Sequence, residues 1–390
     1  MRSGTALALA AALCLARAAV GQEPAGEGES KPPEKDLGKY FADEGVLFAE
    51  EPIVVSAAKV EQKRKEAPSA VWVITSEEIL RSAATSVPDL LRSVPGIEVF
   101  FTSVSDPNVG ARGLNSLLSN GVLVLVDGRH VYLDNLGRVP WNALPMGLQD
   151  IDRIEVIRGP GSALFGANAF HAVINIFTKR PDKWTGTRIA AMGAEHDTAT
   201  TDLLHAGRYG EIGYRLSLGW KTADHPGAFA RQREDAVDAK RGNLLVEYYP
   251  AENTTLGLGL GTVRVDDEIL SDGGPIFSHG SLPHIMLEFH HKRDDSEWHA
   301  RAYWNALQDF EIESLNLPTS DLTIHNRYSS GDGEMQHTRR LGDRHRATAG
   351  FTYRVNDIDL QVLRKKLTHR IAGIFLQDEW KLAEPLTLTV

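Results

Sequence analysis

The stretch Trp298-His299-Ala300-Arg301-Ala302-Tyr303-Trp304-Asn305-Ala306 decides the fold class. Trp298, Ala300, Ala302, Trp304 and Ala306 are apolar or small, while His299, Arg301, Tyr303 and Asn305 alternate with them. A β-strand turns successive side chains to opposite faces, so this segment has one apolar and one polar face. The same alternation recurs in Tyr214-Arg215-Leu216-Ser217-Leu218-Gly219-Trp220, in the Leu-Gly repeat of 256–261, and over 346–353, where Ala347, Ala349, Phe351 and Tyr353 share a face. Each segment runs about nine to thirteen residues, the length of a tilted strand crossing a bilayer. Trp220, Tyr248, Trp298, Trp304 and Tyr353 lie in or at the ends of the apolar faces, as an interfacial girdle requires.

The connections between these segments carry a second regularity. Short turns are expected at 209–211, 250–253, 294–296, 341–343 and 383–385, and long polar loops at 222–240, 266–283 and 308–330. Sorting of short and long connections to opposite ends is the asymmetry of an outer-membrane barrel. A soluble sandwich shares the alternation but has no reason to sort its loops. The region 185–390 is therefore read as antiparallel transmembrane β-barrel.

Upstream, 60–181 reads as a compact α+β domain. A strand over 71–75 leads into Thr75-x-x-Glu78, a capping box that opens a short helix. A second helix starts near Ser86, with Pro88 and Asp89 in its first turn, and Pro95-Gly96 stops it. The apolar run Val122-Leu123-Val124-Leu125-Val126 predicts a buried strand, and Asp127-Gly128 a hairpin into 129–133. Strands follow over 151–157 and 173–177, separated by the turn at Gly159-Pro160-Gly161 and a short helical piece. The glycine-rich turn fits neither a phosphate loop nor a serine elbow: no lysine follows Gly166, and Ser162 lacks the flanking glycines.

The N-terminus is an address. Arg2 precedes the small-and-apolar run of 5–19, and small residues suited to cleavage follow, the pattern of a secretory leader over 1–21. The only cysteine, Cys14, lies inside it, so the exported chain uses no disulfide, cysteine nucleophile or cysteine-ligated metal. An acidic, proline-bearing spacer covers 22–50. It ends in Glu51-Pro52-Ile53-Val54-Val55-Ser56-Ala57, a short β-prone run. Local physics leaves two readings open: the first strand of the next domain, or a segment that adds itself to a partner's sheet edge.

Composition excludes several classes. With 42% hydrophobic and 24% charged residues the chain has globular composition, and a net charge of −10 argues against a nucleic-acid binder. No apolar run is long enough for a membrane-spanning helix. None of the H-E-x-x-H, C-x-x-C or D-x-D-x-D-G patterns is present, and the histidines lack ligand spacing, so neither an enzyme nor a metal or cofactor site is expected.

The region 60–181 resembles the plug domain of TonB-dependent outer-membrane receptors. The residues that carry the likeness are Val73-Ile74-Thr75, Asp89-Leu90-Leu91 to Val94-Pro95-Gly96-Ile97, Ala111-Arg112-Gly113-Leu114, Val126-Asp127-Gly128-Arg129, and Ile151-Asp152-Arg153-Ile154-Glu155-Val156-Ile157-Arg158-Gly159-Pro160 continuing to Val173-Ile174-Asn175-Ile176. Phe375-Leu376-Gln377-Asp378-Glu379-Trp380 is similar to a barrel strand of these receptors. The resemblance makes 51–57 the TonB box, with Glu51, Pro52, Ile53, Val54, Val55, Ser56 and Ala57 binding the periplasmic protein TonB by strand addition.

The resemblance further implies energy-coupled import of a scarce metal chelate, a ferric siderophore or a cobalamin-like ligand, across a Gram-negative outer membrane. Outer-membrane lipid then surrounds the barrel. Arg112, Arg153, Glu155 and Arg158 resemble the charged positions that tie plug to barrel wall. The ligand is not legible, and Phe229, Arg231, Arg233, His279 and Tyr328 are loop positions available to it. A non-transporting outer-membrane or periplasmic binding protein is the alternative. Two departures stand out. Ala172, after His171, replaces a glycine frequent in the family, and about eleven strands are expected where the family closes with about twenty-two. An open half-barrel leaves unpaired edges in lipid, so the expectation is an N-terminal fragment, a barrel truncated to about half its strands.

Overall fold

A computed structural model describes residues 53–56, 59, 62–64, 67, 69–102, 106–113, 121–159, 161–165, 169–195, 197–225, 235–271, 274–314, 322–360, 365–383 and 386–390. The leader over 1–21, the spacer over 22–50, and Glu51, Pro52, Ala57, Phe229, Arg231 and Arg233 lie outside the described residues.

The plug region is built on a five-stranded sheet of order β3-β8-β9-β6-β7, comprising β3 (Val71–Thr75), β6 (Val122–Val126), β7 (Arg129–His130), β8 (Ile151–Arg158) and β9 (Ala172–Thr178). Only β6 and β9 run parallel; the other neighbours are antiparallel. The capping box forms as expected: Thr75 is the N-cap of α1 (Ser76–Arg81), with Glu78 returning to the Thr75 backbone. Ser86 caps α2 (Val87–Leu91), and α3 (Ser162–Phe165) follows β8. β4 (Ile97–Phe101) pairs with β5 (Pro107–Ala111), a strand the sequence reading did not include. The hairpin after β6 turns at Asp127-Gly128, both with positive φ, as an Asp-Gly turn of the primed type requires. Its second strand is shorter than expected: β7 ends at His130, and Leu133 makes only an isolated bridge to Arg138.

Both faces of the sheet are covered, which is why β6 is apolar throughout. Val122, Val124 and Val126 join the main core with Ile74, Leu91, Ile154, Ile174 and Ile176. Leu123 and Leu125 face the other way and pack with Ile157, Val173 and Val54. Val54 belongs to β1 (Ile53–Val54), which pairs antiparallel with β2 (Gln62–Lys63).

From Gly186 onward the described residues form one antiparallel sheet of 12 strands. Its members are β10 (Gly186–Ala194), β11 (Thr198–Tyr209), β12 (Ile212–His225), β13 (Asp235–Ala251), β14 (Thr254–Ser271), β15 (Gly274–Ser281), β16 (His284–Lys292), β17 (Ser296–Ser314), β18 (Leu322–Leu341), β19 (His345–Leu360), β20 (Lys365–Ala383) and β21 (Leu386–Thr389). β15 and β16 run in line between β14 and β17 and occupy one row of the sheet, which accounts for the expected number near eleven. The break falls at Leu282-Pro283, where proline has no N–H to give the ladder.

The long loops require correction. Strands extend through much of 222–240, 266–283 and 308–330, so β14, β17, β18 and β20 reach 18, 19, 20 and 19 residues. A bilayer needs only about ten. The surplus length forms tall hairpins at one end, while the expected short turns close the other. His279 lies on β15 and Tyr328 on β18, in strand rather than loop. Leu216, Leu218, Leu256, Leu287, Trp304, Phe351, Ile374 and Leu376 form the exposed apolar face. Arg215, Ser217, Glu247, Tyr303 and Gln336 are buried on the other, towards the plug.

Candidate functional site

The N-terminal segment 53–56 is held against the plug by backbone and side chain together. Ile53 and Val54 pair with Lys63 and Gln62. Val54 is 0% exposed whereas Ile53 is 56% exposed, so one side chain is committed to the core and its neighbour is not. Burying such a valine contributes roughly 1.5–3 kcal/mol. The next two backbone N–H groups, of Val55 and Ser56, both donate to Glu155 Oε2, at 3.0 and 2.8 Å. Glu155 itself is fully buried on β8. Its Oε1 accepts from Arg153 Nε at 2.9 Å, and Arg153 also reaches Asp152 and lies over the Phe177 ring. Asn175 donates to Ser56 Oγ at 3.1 Å. A buried carboxylate is tolerated only when its oxygens are satisfied, and here the segment and Arg153 satisfy them.

Lys59 then crosses to the wall. Its Nζ sits 2.9 Å from Glu334 Oε1 of β18, near the faces of Phe165 and Phe375, and Gln336 donates to its carbonyl. Burial pulls the Lys59 ammonium below its ordinary pKa, and Glu334 opposes that shift. Between this segment, the plug and the wall lies a cavity of about 570 Å³ whose lining includes Ser56, Lys59, His130, Arg301 and Glu334. Burial, with Arg354, Arg301 and Lys59 adding positive charge, holds the His130 pKa well below that of a free imidazole, so this ring is neutral.

The ties between plug and wall come from residues the sequence reading did not single out. Arg180 pairs with Glu247 of β13 at 2.9 Å and Glu288 of β16 at 2.7 Å. Ser217 donates to Asp150 at 2.6 Å, and Arg215 to the Lys179 carbonyl at 2.7 Å. The β6–β7 hairpin meets β17: Arg129 donates to Asn305, Asn305 to the His130 carbonyl, and Arg301 to the Asp127 carbonyl. Gly128 is favoured there by its φ of +75°, and a Cβ would also push aside the Arg301 guanidinium that bonds the Asp127 carbonyl. Near the tall hairpins, Asp134 accepts from Tyr328 and Asn356.

Among the described residues, the hydrogen bonds of the four charged residues expected at this boundary run to the plug and to 53–56. Arg153 and Glu155 bond each other, Arg158 donates to the Pro95 carbonyl, and the Arg112 backbone N–H donates to the Gly96 carbonyl. The physical reason is that β8 is an interior strand of the plug sheet, flanked by β3 and β9. The signal that finds the ties described above is charge on the polar parity of the wall strands, as at Glu247, Glu288, Arg301 and Glu334.

Residues 63–173 match the family described as TonB-dependent Receptor Plug Domain. The chain is 38% identical over 147 residues to the Vitamin B12 transporter BtuB of Vibrio vulnificus (strain CMCP6), covering 37% of this chain and 23% of that protein. BtuB of Vibrio cholerae (strain M66-2) is 36% identical over the same length, with 36% and 23% covered. Among solved structures, Pseudomonas aeruginosa FpvA bound to a ferric pyoverdine superposes with a TM-score of 0.67 at 14% identity, over 87% of this chain and 53% of that one. The siderophore receptor PirA from Pseudomonas aeruginosa gives 0.63 at 18%, covering 83% and 55%, and the copper transporter OprC 0.64 at 16%, covering 81% and 53%. This chain thus spans little more than half the length of these solved receptors, and the structural likeness establishes the fold: a plug followed by part of a barrel wall. Over 63–173 the chain therefore carries a TonB-dependent receptor plug domain, and the wall that follows has the fold of the solved receptors.

Proposed function

We propose that the chain serves TonB-dependent import of a scarce metal chelate, a ferric siderophore or cobalamin-like ligand, across the outer membrane. Residues 1–21 act as the export leader, and 51–57 as the segment captured by TonB. The observation that carries this reading is the state of 53–56. Strand addition needs free backbone donors and acceptors, and here β2 and Glu155 hold them. The segment is stored in a form that a partner must displace. It lies at the short-turn end, because its neighbour Lys59 bonds Glu334 and Gln336 a few residues before the turn after Leu341. That end is the periplasmic one in this reading, and the tall hairpins face outward, where ligand arrives.

The relatives named as transporters of vitamin B12 and copper, and the receptors named for siderophores, support a metal-bearing cargo. A proline at position 54 removes a backbone donor and cannot join a ladder. Val54→Pro is expected to abolish energy-dependent uptake while leaving ligand binding at the cell surface intact. Uptake at the wild-type rate in that variant rules out 51–57 as the coupling segment.

A further inference from the structure

The lipid-facing side of the wall carries a feature the import reading leaves unused. At the short-turn end, β16 to β20 present His291, His337 and His345 on the same face as Trp298 and Trp380. The parity is fixed by β18: Glu334 and Gln336 bond the plug segment, so His337 and Arg339 point away from it. Trp298 pairs across the ladder with both His291 and His337, and its ring stacks on His337 at 4.0 Å. His345 stacks on Trp380 at 5.4 Å.

One ring nitrogen of each histidine is fixed by a neighbour. His291 Nδ1 meets Thr254 Oγ1 at 2.8 Å, His337 Nε2 meets Ser296 Oγ at 3.0 Å, and His345 Nδ1 meets Asp378 Oδ2 at 2.8 Å. The second nitrogen of each has no hydrogen-bond partner among the described residues. Arg339 stands between them, exposed, with its nearest carboxylate, Asp295, at 4.0 Å. Such rings are held in place before a ligand arrives, which lowers the ordering cost of binding.

We propose that this patch binds the phosphate of an anionic phospholipid headgroup in the periplasmic leaflet. The proposal rests on the reading of the sheet as an outer-membrane wall with its short turns inward. Tryptophans mark the headgroup level of a membrane protein, so the three imidazoles and Arg339 lie where lipid phosphates lie. Asp378 engages His345 through one carboxylate oxygen, its other oxygen having no partner among the described residues, and Asp295 is held by Arg339. In the tautomer in which the Thr254 and Ser296 hydroxyls donate to them, His291 and His337 present their second ring nitrogens as N–H donors beside the Arg339 guanidinium, and a phosphate complements these donors.

The test uses the protein reconstituted in phosphatidylcholine vesicles carrying brominated phosphatidylglycerol or brominated phosphatidylcholine, read by quenching of tryptophan fluorescence. Trp298 and Trp380 are the built-in reporters. Phosphatidylglycerol is expected to be preferred by roughly fivefold, and the variant H291Q/H337Q/R339Q/H345Q, which keeps both tryptophans, to quench equally with either lipid. Equal quenching in the wild type, or an unchanged preference in the variant, overturns the proposal. Loss of the preference on adding inorganic phosphate also overturns it, assigning the patch to a free anion. Quenching by neither lipid refutes the membrane-wall reading itself, a result distinct from an inserted protein without headgroup preference.

Discussion

Glu155 does at one residue what a whole strand edge usually does: it accepts consecutive backbone N–H groups of the segment next to it. Hydrogen bonds to a charged group are worth about 1.5–3 kcal/mol each, so removing the carboxylate is a large change for so short a segment. Cys14 is the only cysteine of the sequence and lies in the proposed leader, so a cysteine at position 55 is a clean reporter once that leader is removed. Glu155→Ala is expected to raise its alkylation rate by about 10–100-fold, and an unchanged rate contradicts the latch. Lys179 offers a second check. Burial, with Arg188 and Arg215 adding to it, lowers its pKa to about 8, while Asp150 and Asp152 oppose. The folded state thus disfavours the charged ammonium, a cost present in full below pH 8 and relieved as pH rises towards the unfolded value. Stability of the plug–wall contact should therefore increase between about pH 8 and 10, and a denaturation series on Lys179→Met should lack that rise. At this scale the sequence reading was uneven. Glu155 stood out by its motif, but its partners could not, because Val55 and Ser56 lie 100 and 99 residues away along the chain. Lys59 lacked any local signal; its role exists only because β18 passes beside it.

Secondary-structure elements were legible wherever the determinant was local. Thr75 and Glu78, Ser86 and Asp89, and Asp127-Gly128 each specify their cap or turn within four residues, and each forms. Thr75→Ala should cost about 1 kcal/mol through loss of the α1 cap, seen as a lower denaturation midpoint with an unchanged slope. Where the determinant was distant, the reading failed. β5 holds Pro107, Asn108 and Gly110, poor strand formers, and exists because β4 lies alongside. Much of the expected loops is strand for the same reason: residues of 266–271, 274–281, 308–314 and 322–330 satisfy their backbones against one another, beyond the band where apolar alternation is needed. Pro283 shows the converse, a local break within a row that the sheet otherwise continues.

For the molecule as a whole, the wall is an open sheet with β10 and β21 at its edges, and lipid does not tolerate unpaired edges. The outer-membrane form should therefore contain a closed barrel and run as a compact band on an unheated gel that shifts on boiling; a band indifferent to heating argues for a soluble assembly. Barrel class was readable because alternation over 298–306 is a property of one strand, whereas the plug–wall contacts arise only when two bodies meet. The docked strand also has a mechanical meaning. β1 and β2 share only two paired positions, so tension on the tether meets little resistance from that ladder. The load passes next to the carboxylate on β8, an interior strand gripped by β3 and β9. On the import reading, a pull on 53–56 is thus applied near the middle of the plug rather than at its rim. Drawing out Val54 removes a member of the core that Leu123, Leu125 and Val173 share, so on that reading the force that frees the handle also begins to loosen the stopper.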